Sequence, residues 1–192
     1  MCFSATASFA TAATLLPVGA YCIARTRDAG AGWLAFASYP LAFGLQQLGE
    51  GFVWLGLGSG DGELVNTSAL GFAFFSHFFW LFWVPFSVWL LETDRTRKKI
   101  LLFLSVFGAC YGISIFIPLF QEGWLRVEVM HHSIAYQATM IYDDYIDRLV
   151  IRLIYALQVV TAFMISSNHK VRIFGVLILL SVIMAFATYR YA

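Results

Sequence analysis

The sequence predicts an all-α integral membrane protein, a bundle of six transmembrane helices with both termini outside. Of its 192 residues, 60% are hydrophobic, and the mean hydropathy is +0.77. Only 12% are charged, whereas soluble chains carry about 25%. The apolar residues lie in several runs close to the roughly 20 residues with which a helix crosses a bilayer. A membrane β-barrel would instead show shorter, alternating segments.

The first two apolar runs are expected to form the first two helices. The first run covers residues 7–24 and is followed by Arg25 and Arg27. A secretory signal peptide carries its positive charges before its apolar run, so we interpret this run as a retained helix whose N-terminus lies outside. The second run covers residues 31–57, and its Pro40 is expected to kink the helix or to mark its start.

The third run, residues 68–91, is an aromatic helix that contains one histidine. From Phe72 to Trp89 it reads FAFFSHFFWLFWVPFSVW, in which ten of eighteen residues are Phe or Trp. An imidazole is costly in hydrocarbon and usually faces a partner or a cavity. His77 is therefore predicted to belong to a functional site. The surrounding rings, including Trp80, would form a wall for a lipid, a quinone or a porphyrin.

Three further helices and one polar segment complete the prediction. The fourth, fifth and sixth helices are expected at residues 100–120, 145–167 and 173–190. Residues 121–144 carry too many polar side chains for a lipid-facing helix. We interpret them as a structured outer loop or a re-entrant piece, with a seventh span as the alternative. No linker divides the chain, which predicts a single transmembrane domain over residues 1–192.

The charges of the loops predict the orientation and the partners. Basic loops at residues 25–28, 92–99 and 167–172 alternate with acidic or mixed loops. Positive loops of membrane proteins lie on the cytoplasmic side, so six helices with outside termini fit the pattern. The expected location is the bacterial inner membrane. The net charge is +1 and the chain has no long basic tract, which argues against nucleic acid as a partner. The expected partners are the bilayer and other protein subunits. These subunits would be copies of this chain or members of a larger membrane complex.

Glu50 and His77 are the candidate catalytic residues. Counted from the ends of their helices at about 1.5 Å per residue, both lie at similar depth in the outer half of the bundle. Because a short loop joins their helices, we expect them to meet. Gln46 and Gln47 precede Glu50 on the same helix face. Arg152, at comparable depth in the fifth helix, is expected to neutralise the Glu50 carboxylate.

A second group of charges lies at the outer end of the fifth helix. It consists of Asp143, Asp144, Asp147 and Arg148. Asp144 precedes Arg148 by four residues, the favourable order for an ion pair along a helix, and the sequence predicts that pair.

A metal ion is the first candidate cofactor. Glu50 and His77 would supply two ligands, and His131, His132 or Cys2, on the same side of the membrane, would supply the others. Nitrogen and sulfur donors suit zinc or copper better than calcium or magnesium, which prefer oxygen. A haem is the weaker candidate. The chain has none of the spacings HxxxH, HExxH or CxxC that specify such sites.

Each of these residues also has a purely structural interpretation. Glu50 and Arg152 would then be a buried ion pair that fixes the register of two helices. His77 would hydrogen-bond a Gln or Ser across helices, and His131 and His132 would be exposed loop residues. The sequence leaves both interpretations open.

Several segments resemble a family of small bacterial multipass membrane proteins that has no established activity. They are MCFSATASF, LPVGAYC, FGLQQLGEGFVWL and HFFWLFWVPFSVWLLE. The resemblance covers roughly the first 92 residues and points to candidates already selected: Cys2, Gln46, Gln47, Glu50 and His77. A looser similarity connects the chain to membrane-embedded zinc hydrolases of the ceramidase and adiponectin-receptor type, whose paired-histidine motif is missing here.

Three functions fit this pattern, and the sequence leaves open whether the protein is an enzyme. The leading hypothesis is a site that acts on a lipidic or small apolar substrate, with His77 as ligand or general base and Glu50 as ligand or acid–base group. The residues expected to bind substrate or cofactor are Gln46, Gln47, Trp80 and Arg152. The second hypothesis is a transport path for protons, ions or small solutes through the same residues. The third is an accessory or cofactor-binding subunit of a larger membrane complex.

Overall fold

The computed structural model describes residues 4–130 and 133–191, with side chains as far as residue 184. Most of the described chain is helical, and a pair of strands, β1 (Leu125–Met130) and β2 (Ser133–Ala138), interrupts the helices. The helical elements are α1 (Ala5–Thr26), α2 (Ala31–Ala37), α3 (Tyr39–Ser59), α4 (Gly62–Ala73), a π-helical segment (Phe74–Phe79), α5 (Trp80–Leu91), α6 (Arg95–Phe116), α7 (Arg148–Ile165) and α8 (His169–Tyr191).

Four helices begin beside a side chain that caps the first turn. The Ser4 hydroxyl accepts a hydrogen bond from the Ala7 amide at 3.2 Å, and aspartates cap α4, α6 and α7 in the same way. Such caps satisfy amide groups that have no partner within the helix. Because Asp147 is the cap of α7, this helix starts at Arg148, three residues later than predicted.

The second predicted helix is divided in two, as its proline indicated. α2 ends at Ala37, and Pro40 lies in the first turn of α3, where a proline is tolerated because its missing amide would have no partner. Ser38 joins the two helices. Its hydroxyl donates to the Ala35 carbonyl and accepts from Nε1 of Trp83 at 3.0 Å, so α5 holds the break in place.

The third predicted helix is continuous from Gly62 to Leu91, but its centre is π-helical. In this π segment the Trp80 amide donates to the Phe75 carbonyl, five residues earlier. π segments are rare and occur frequently at functional sites. The sequence did not predict this one, which contains His77.

The helices pack antiparallel where small residues allow close contact. Gly19 of α1 lies against the backbone of Leu41, and Phe9 at the other end of α1 lies against Gly51 of α3. α5 and α6 form a second close pair, in which Gly108 lies against the Leu81 carbonyl. Small residues at helix interfaces are typical of membrane bundles.

The three basic loops of the sequence meet at one end of the bundle, which we call the basic end. Gly32, which follows the first loop, packs against Leu90, and Glu92 of the second loop bonds to Ser167 of the third. Eight of the twelve Lys and Arg residues lie in these loops or the adjoining helix turns: Arg25, Arg27, Arg95, Arg97, Lys98, Lys99, Lys170 and Arg172.

The opposite end is covered by a β-hairpin, which corrects the purely all-α prediction. β1 pairs antiparallel with β2 from Leu125↔Ala138 to Met130↔Ser133. The hairpin buries Leu125, Ile134 and Ala138 in a cluster with Val53 and other residues of α3 and α4. Its apolar residues alternate along each strand, the period typical of half-buried strands. The polar residues between them, Arg126 and Glu128 in β1 and Gln137 in β2, belong to this alternation; counted without regard to their spacing, they indicated only a loop.

The described part of residues 121–144 therefore forms a structured loop, as one of our predictions stated, and contains no helix. Among the described residues, four segments are long and apolar enough to cross a membrane: Ala5–Ala29, Gly62–Leu91, Arg95–Phe120 and Arg148–Ile165. α3, which carries Glu50, and α8 are not among them. Six spans thus stay a prediction, whereas a mainly helical protein with several segments able to cross a membrane is established.

One buried carboxylate joins two loops at the basic end. Glu92, 2% exposed, accepts hydrogen bonds from the amides of Thr93, Asp94 and Ser167 and from the Ser167 hydroxyl, at 2.5–3.0 Å. Desolvation of the carboxylate acts to raise its pKa, but these four hydrogen bonds outweigh it, and the pKa of Glu92 is lowered. The network fixes the loop after α5 against the turn between α7 and α8.

We predict that Glu92→Gln destabilises the protein by about 1–3 kcal/mol near neutral pH, the cost of leaving buried groups unsatisfied. A carboxyl group whose pKa is lowered on folding stabilises the fold above its ordinary pKa, here 4.5. This stabilisation is lost as the pH falls further through the folded-state pKa. The difference in melting temperature between wild type and variant should therefore shrink below about pH 4.5. Glu122→Gln, at an exposed loop position, is the control, and a difference that does not change with pH would contradict the assignment.

Candidate functional site

A polar cavity of about 250 Å³ lies between the π segment, the hairpin and the first turns of α7. Its wall is built from three elements that are far apart in sequence, so it exists only in the folded chain. The residues that line it are Ser76, His77, Ile115, Tyr136, Ala138, Met140, Arg148, Ile151, Arg152 and Tyr155.

The π segment positions His77 on this wall. Nδ1 of His77 is hydrogen-bonded to the Ser76 hydroxyl at 2.9 Å, so Nε2 is the ring nitrogen available to a ligand. On the other side of the segment, Gly112 of α6 packs against the backbone of His77 and Phe78. Ser76 therefore holds the imidazole, and the close approach of α6 holds the backbone of the π segment that carries it.

Arg148 and Arg152 lie one turn apart on α7 and both line the cavity. Arg148 is fixed by an ion pair with Asp143 at 2.8 Å and by a hydrogen bond to the Ala138 carbonyl at 3.1 Å. Desolvation acts to raise the pKa of Asp143, but its hydrogen bonds and the positive charge of Arg148 lower it overall. The prediction that Arg148 pairs with Asp144 was wrong. Helical spacing does not apply at Asp144, because the chain forms turns there and α7 begins only at Arg148.

Arg152 differs from Arg148 in the contacts of its guanidinium group. It is exposed at the cavity, and within the described chain it forms no hydrogen bond or ion pair. The expected neutralisation of Glu50 by Arg152 was wrong. Glu50 is 0% exposed and does not line the cavity, so the two groups lie in different environments.

Glu50 is connected to the cavity through Tyr136 of the hairpin. Burial raises the pKa of the Tyr136 hydroxyl, and the negative charge of Glu50 raises it further. Tyr136 also packs against the buried cluster that includes Val53, which follows Glu50 by three residues on α3. Tyr136 also stacks on Phe72, with ring centroids 4.4 Å apart. Tyr136 lines the polar cavity together with His77, whereas Glu50 does not.

Gln46 and Trp80 meet, but in a different cavity. Nε1 of Trp80 donates to Oε1 of Gln46 at 2.8 Å, and both side chains line an apolar cavity of about 270 Å³. Gln47 lines neither cavity. The apolar cavity is lined by Tyr39, Phe43, Gln46, Ser76, Trp80, Val84, Tyr155, Val159, Phe163, Phe174, Ile178 and Val182.

The metal prediction receives no support from the described residues. Among them, no group of three His, Cys, Asp or Glu side chains is placed to hold an ion. Three of the predicted ligands, Cys2, His131 and His132, lie outside the described residues. A zinc or copper site that uses them stays a prediction.

Sequence reasoning missed several residues of the site. Ser76, Tyr136 and Tyr155 line it, and nothing in their local pattern distinguishes them from packing residues. Arg148 was noticed only as part of a charge cluster. Its distance of four residues from Arg152, which places both on one face of a helix, could have revealed that the two guanidinium groups share a wall.

The fold and the cavity define a class of protein: a mainly helical protein with four segments able to cross a membrane and a polar cavity under a hairpin. The whole chain, residues 1–192, matches the model of a family described as "Family of unknown function (DUF6629)", and it belongs to that family. This confirms the resemblance to a family without an assigned activity; its bacterial origin stays a prediction. No curated protein and no solved structure matches the chain.

We predict that Gly112→Ala disturbs the site. A methyl group at this position would lie 2.9 Å from Cα of Phe78, and overpacking of this kind costs about 1–3 kcal/mol. The melting temperature in detergent should fall accordingly. Gly71→Ala is the matched control, since nothing lies within 4 Å of the added methyl and alanine favours the helix by about 0.5–1 kcal/mol. Equal stability of the two variants would refute close packing of α6 on the π segment.

Proposed function

We propose that this protein is a membrane protein that binds an acidic group of a small ligand in the polar cavity, with Arg152 as the anion partner. The observation that carries this proposal is the exposed guanidinium of Arg152 on the wall of a cavity, without a carboxylate partner among the described residues. Asp143 compensates only Arg148. The formal charge that remains on the described cavity wall is therefore positive, and an anion is the ligand that complements it.

Physical reasons favour a specific ligand over a solvated surface charge. Charged side chains in or near membrane spans are rare and usually mark a ligand or ion pathway. Arginine binds carboxylate and phosphate in a bidentate geometry that its planar guanidinium provides. Arg148, locked in place by Asp143, provides a second guanidinium on the same helix face.

His77 is the group that exchanges a proton in this proposal. Ser76 fixes its ring through Nδ1 at 2.9 Å, so that Nε2 can donate to an acidic group or accept a proton from the bound ligand. A ligand held by Arg152 lies in the same cavity as the imidazole. Glu50 acts indirectly, through the electrostatic environment of Tyr136. This arrangement supports the hypothesis of a site that acts on a lipidic or small apolar substrate, with the acidic group as its point of attachment.

The proposal includes an orientation. The basic end, with eight of twelve Lys and Arg residues, would face the cytoplasm according to the positive-inside rule. The hairpin and the polar cavity would then face outward, both termini would be outside, and the inner membrane of a bacterium would be the location.

We predict that cysteines at the two ends react differently in intact cells. In a chain whose native cysteines, Cys2, Cys22 and Cys110, are replaced by serine, Arg126→Cys on the hairpin should react with a membrane-impermeant maleimide. Lys98→Cys at the basic end should react only after the cells are opened. The reverse pattern would show that the bundle is inverted, and reaction at both positions would exclude a membrane barrier between them.

We predict that inorganic phosphate raises the melting temperature of the wild-type protein and does not stabilise Arg152→Gln. A ligand at 100 times its Kd stabilises the folded state by about 2.7 kcal/mol, an effect that a thermal melt resolves. Arg126→Gln removes the same charge from an exposed position on β1 that does not line the cavity, and it should respond like wild type. Equal responses of both variants would mean that phosphate does not bind through Arg152.

A further inference from the structure

The polar cavity and the apolar cavity are neighbours in the bundle. Ser76 and Tyr155 line both of them, so the two spaces share part of their walls. Ser76 also holds His77. A ligand that contacts His77 in the first cavity is therefore one residue away from the second.

The two cavities have opposite chemistry. The first presents His77, Arg148 and Arg152. The second is lined mainly by aromatic and aliphatic side chains, and the amide oxygen of Gln46 there is already bonded to Trp80. Phe43 stacks on Trp80 with ring centroids 4.1 Å apart and completes an apolar wall. Water has little to bond to in such a space, whereas an alkyl chain fits it.

Neither cavity alone is large enough for a typical organic ligand. Their volumes are about 250 and 270 Å³, whereas ligand pockets usually measure roughly 300–1,000 Å³. Together the two cavities fall within that range. The size therefore favours one ligand that occupies both cavities over two separate ligands.

The apolar cavity also reaches the flank of the bundle. Two residues of its wall, Phe43 of α3 and Val182 of α8, are 39% and 38% exposed. Both lie on helix surfaces of the apolar bundle and not in the loops at its ends. A chain could therefore enter from the hydrocarbon of a membrane, where an amphiphile is already dissolved.

We propose that the two cavities together bind one single-chain amphipathic anion, with its acidic headgroup at Arg152 beside His77 and its alkyl chain in the apolar cavity between α3, α7 and α8. This inference rests on the proposed function and names the ligand class for the same site. The headgroup chemistry, phosphate or carboxylate, is shared by lipids and by small soluble anions. What distinguishes an amphiphile is a contribution of the chain to the affinity.

The test measures that contribution with a series of alkyl phosphates of increasing chain length. The protein is held in amphipol, which keeps free detergent out of the cavities, and ligand concentrations stay below micelle formation. The affinity of the wild type should increase roughly fourfold for each added methylene, the effect of burying one CH₂ group, until the cavity is filled. Alcohols of the same chain lengths, which lack the acidic group, measure non-specific partitioning and should bind far more weakly.

Two variants block the apolar cavity from different helices. Val159→Phe adds a ring from α7, and Ile178→Phe does the same from α8, so the test survives if one of them fails to fold. Both should keep the wild-type affinity for inorganic phosphate and lose the increase with chain length. Leu157→Phe adds the same bulk to α7 at a position that is 63% exposed and lines neither cavity, and it should behave like wild type.

The possible results separate the two proposals. If phosphate binds through Arg152 but the affinity does not change with chain length, the amphiphile inference is wrong and the anion site remains. If Val159→Phe and Ile178→Phe show the same increase as Leu157→Phe, the chain binds elsewhere and the inference is also wrong. If neither phosphate nor its alkyl esters bind in a manner that depends on Arg152, the proposed function itself fails.

Discussion

The interior of this bundle must satisfy its own polar groups, because the hydrocarbon of a membrane offers them no hydrogen-bond partners. Several side chains follow this constraint, whereas the Ser8 hydroxyl, Nε1 of Trp54 and the Tyr136 hydroxyl are buried without a hydrogen-bond partner among the described residues. Trp80 donates to Gln46 and Trp83 to Ser38, Tyr39 is bonded to Ser87, and Gln158 donates to the Leu104 carbonyl. Three of these bonds join residues on different helices, and the bond from Trp83 joins α5 to Ser38, between α2 and α3. Together they fix the relative positions of α2, α3, α5, α6 and α7 more specifically than apolar packing alone could.

Arg152 stands out against this background, since it is the guanidinium on the cavity wall that no carboxylate of the described chain compensates. Three features surround it: a histidine in a π segment, a second arginine fixed by Asp143, and a hairpin that brings Tyr136 and Ala138 to the wall. This arrangement leaves one exposed positive charge on the cavity wall without a carboxylate partner in the described chain. In the proposed function, a bound anion neutralises this charge.

The local features of this fold could be predicted, and the contacts between distant segments could not. The break at Pro40, the continuous aromatic helix around His77 and the position of α6 follow from residue types and apolar length, which act over a few neighbouring residues. The hairpin was missed because Arg126, Glu128 and Gln137 were counted as loop residues, although their spacing alternates with the apolar positions of two strands. The pairing of Arg148 with Asp143 instead of Asp144 depends on where α7 begins, and the Asp147 cap decides that.

By itself, the sequence determined that the protein is mainly helical, that several segments can cross a membrane, and that Glu50 and His77 are unusual polar groups within apolar runs. These properties depend on composition and on the cost of placing polar atoms in hydrocarbon, and both can be evaluated one segment at a time. Only the tertiary structure decided which groups share a space. It placed His77 with Arg152 and Arg148 on the wall of one cavity, left Glu50 off that wall, and gave the polar and the apolar cavity two lining residues in common, Ser76 and Tyr155. Depth along a helix can be counted from the sequence, but the direction in which a side chain points depends on helix rotation, and here a π segment and the glycine contacts of α6 set that rotation.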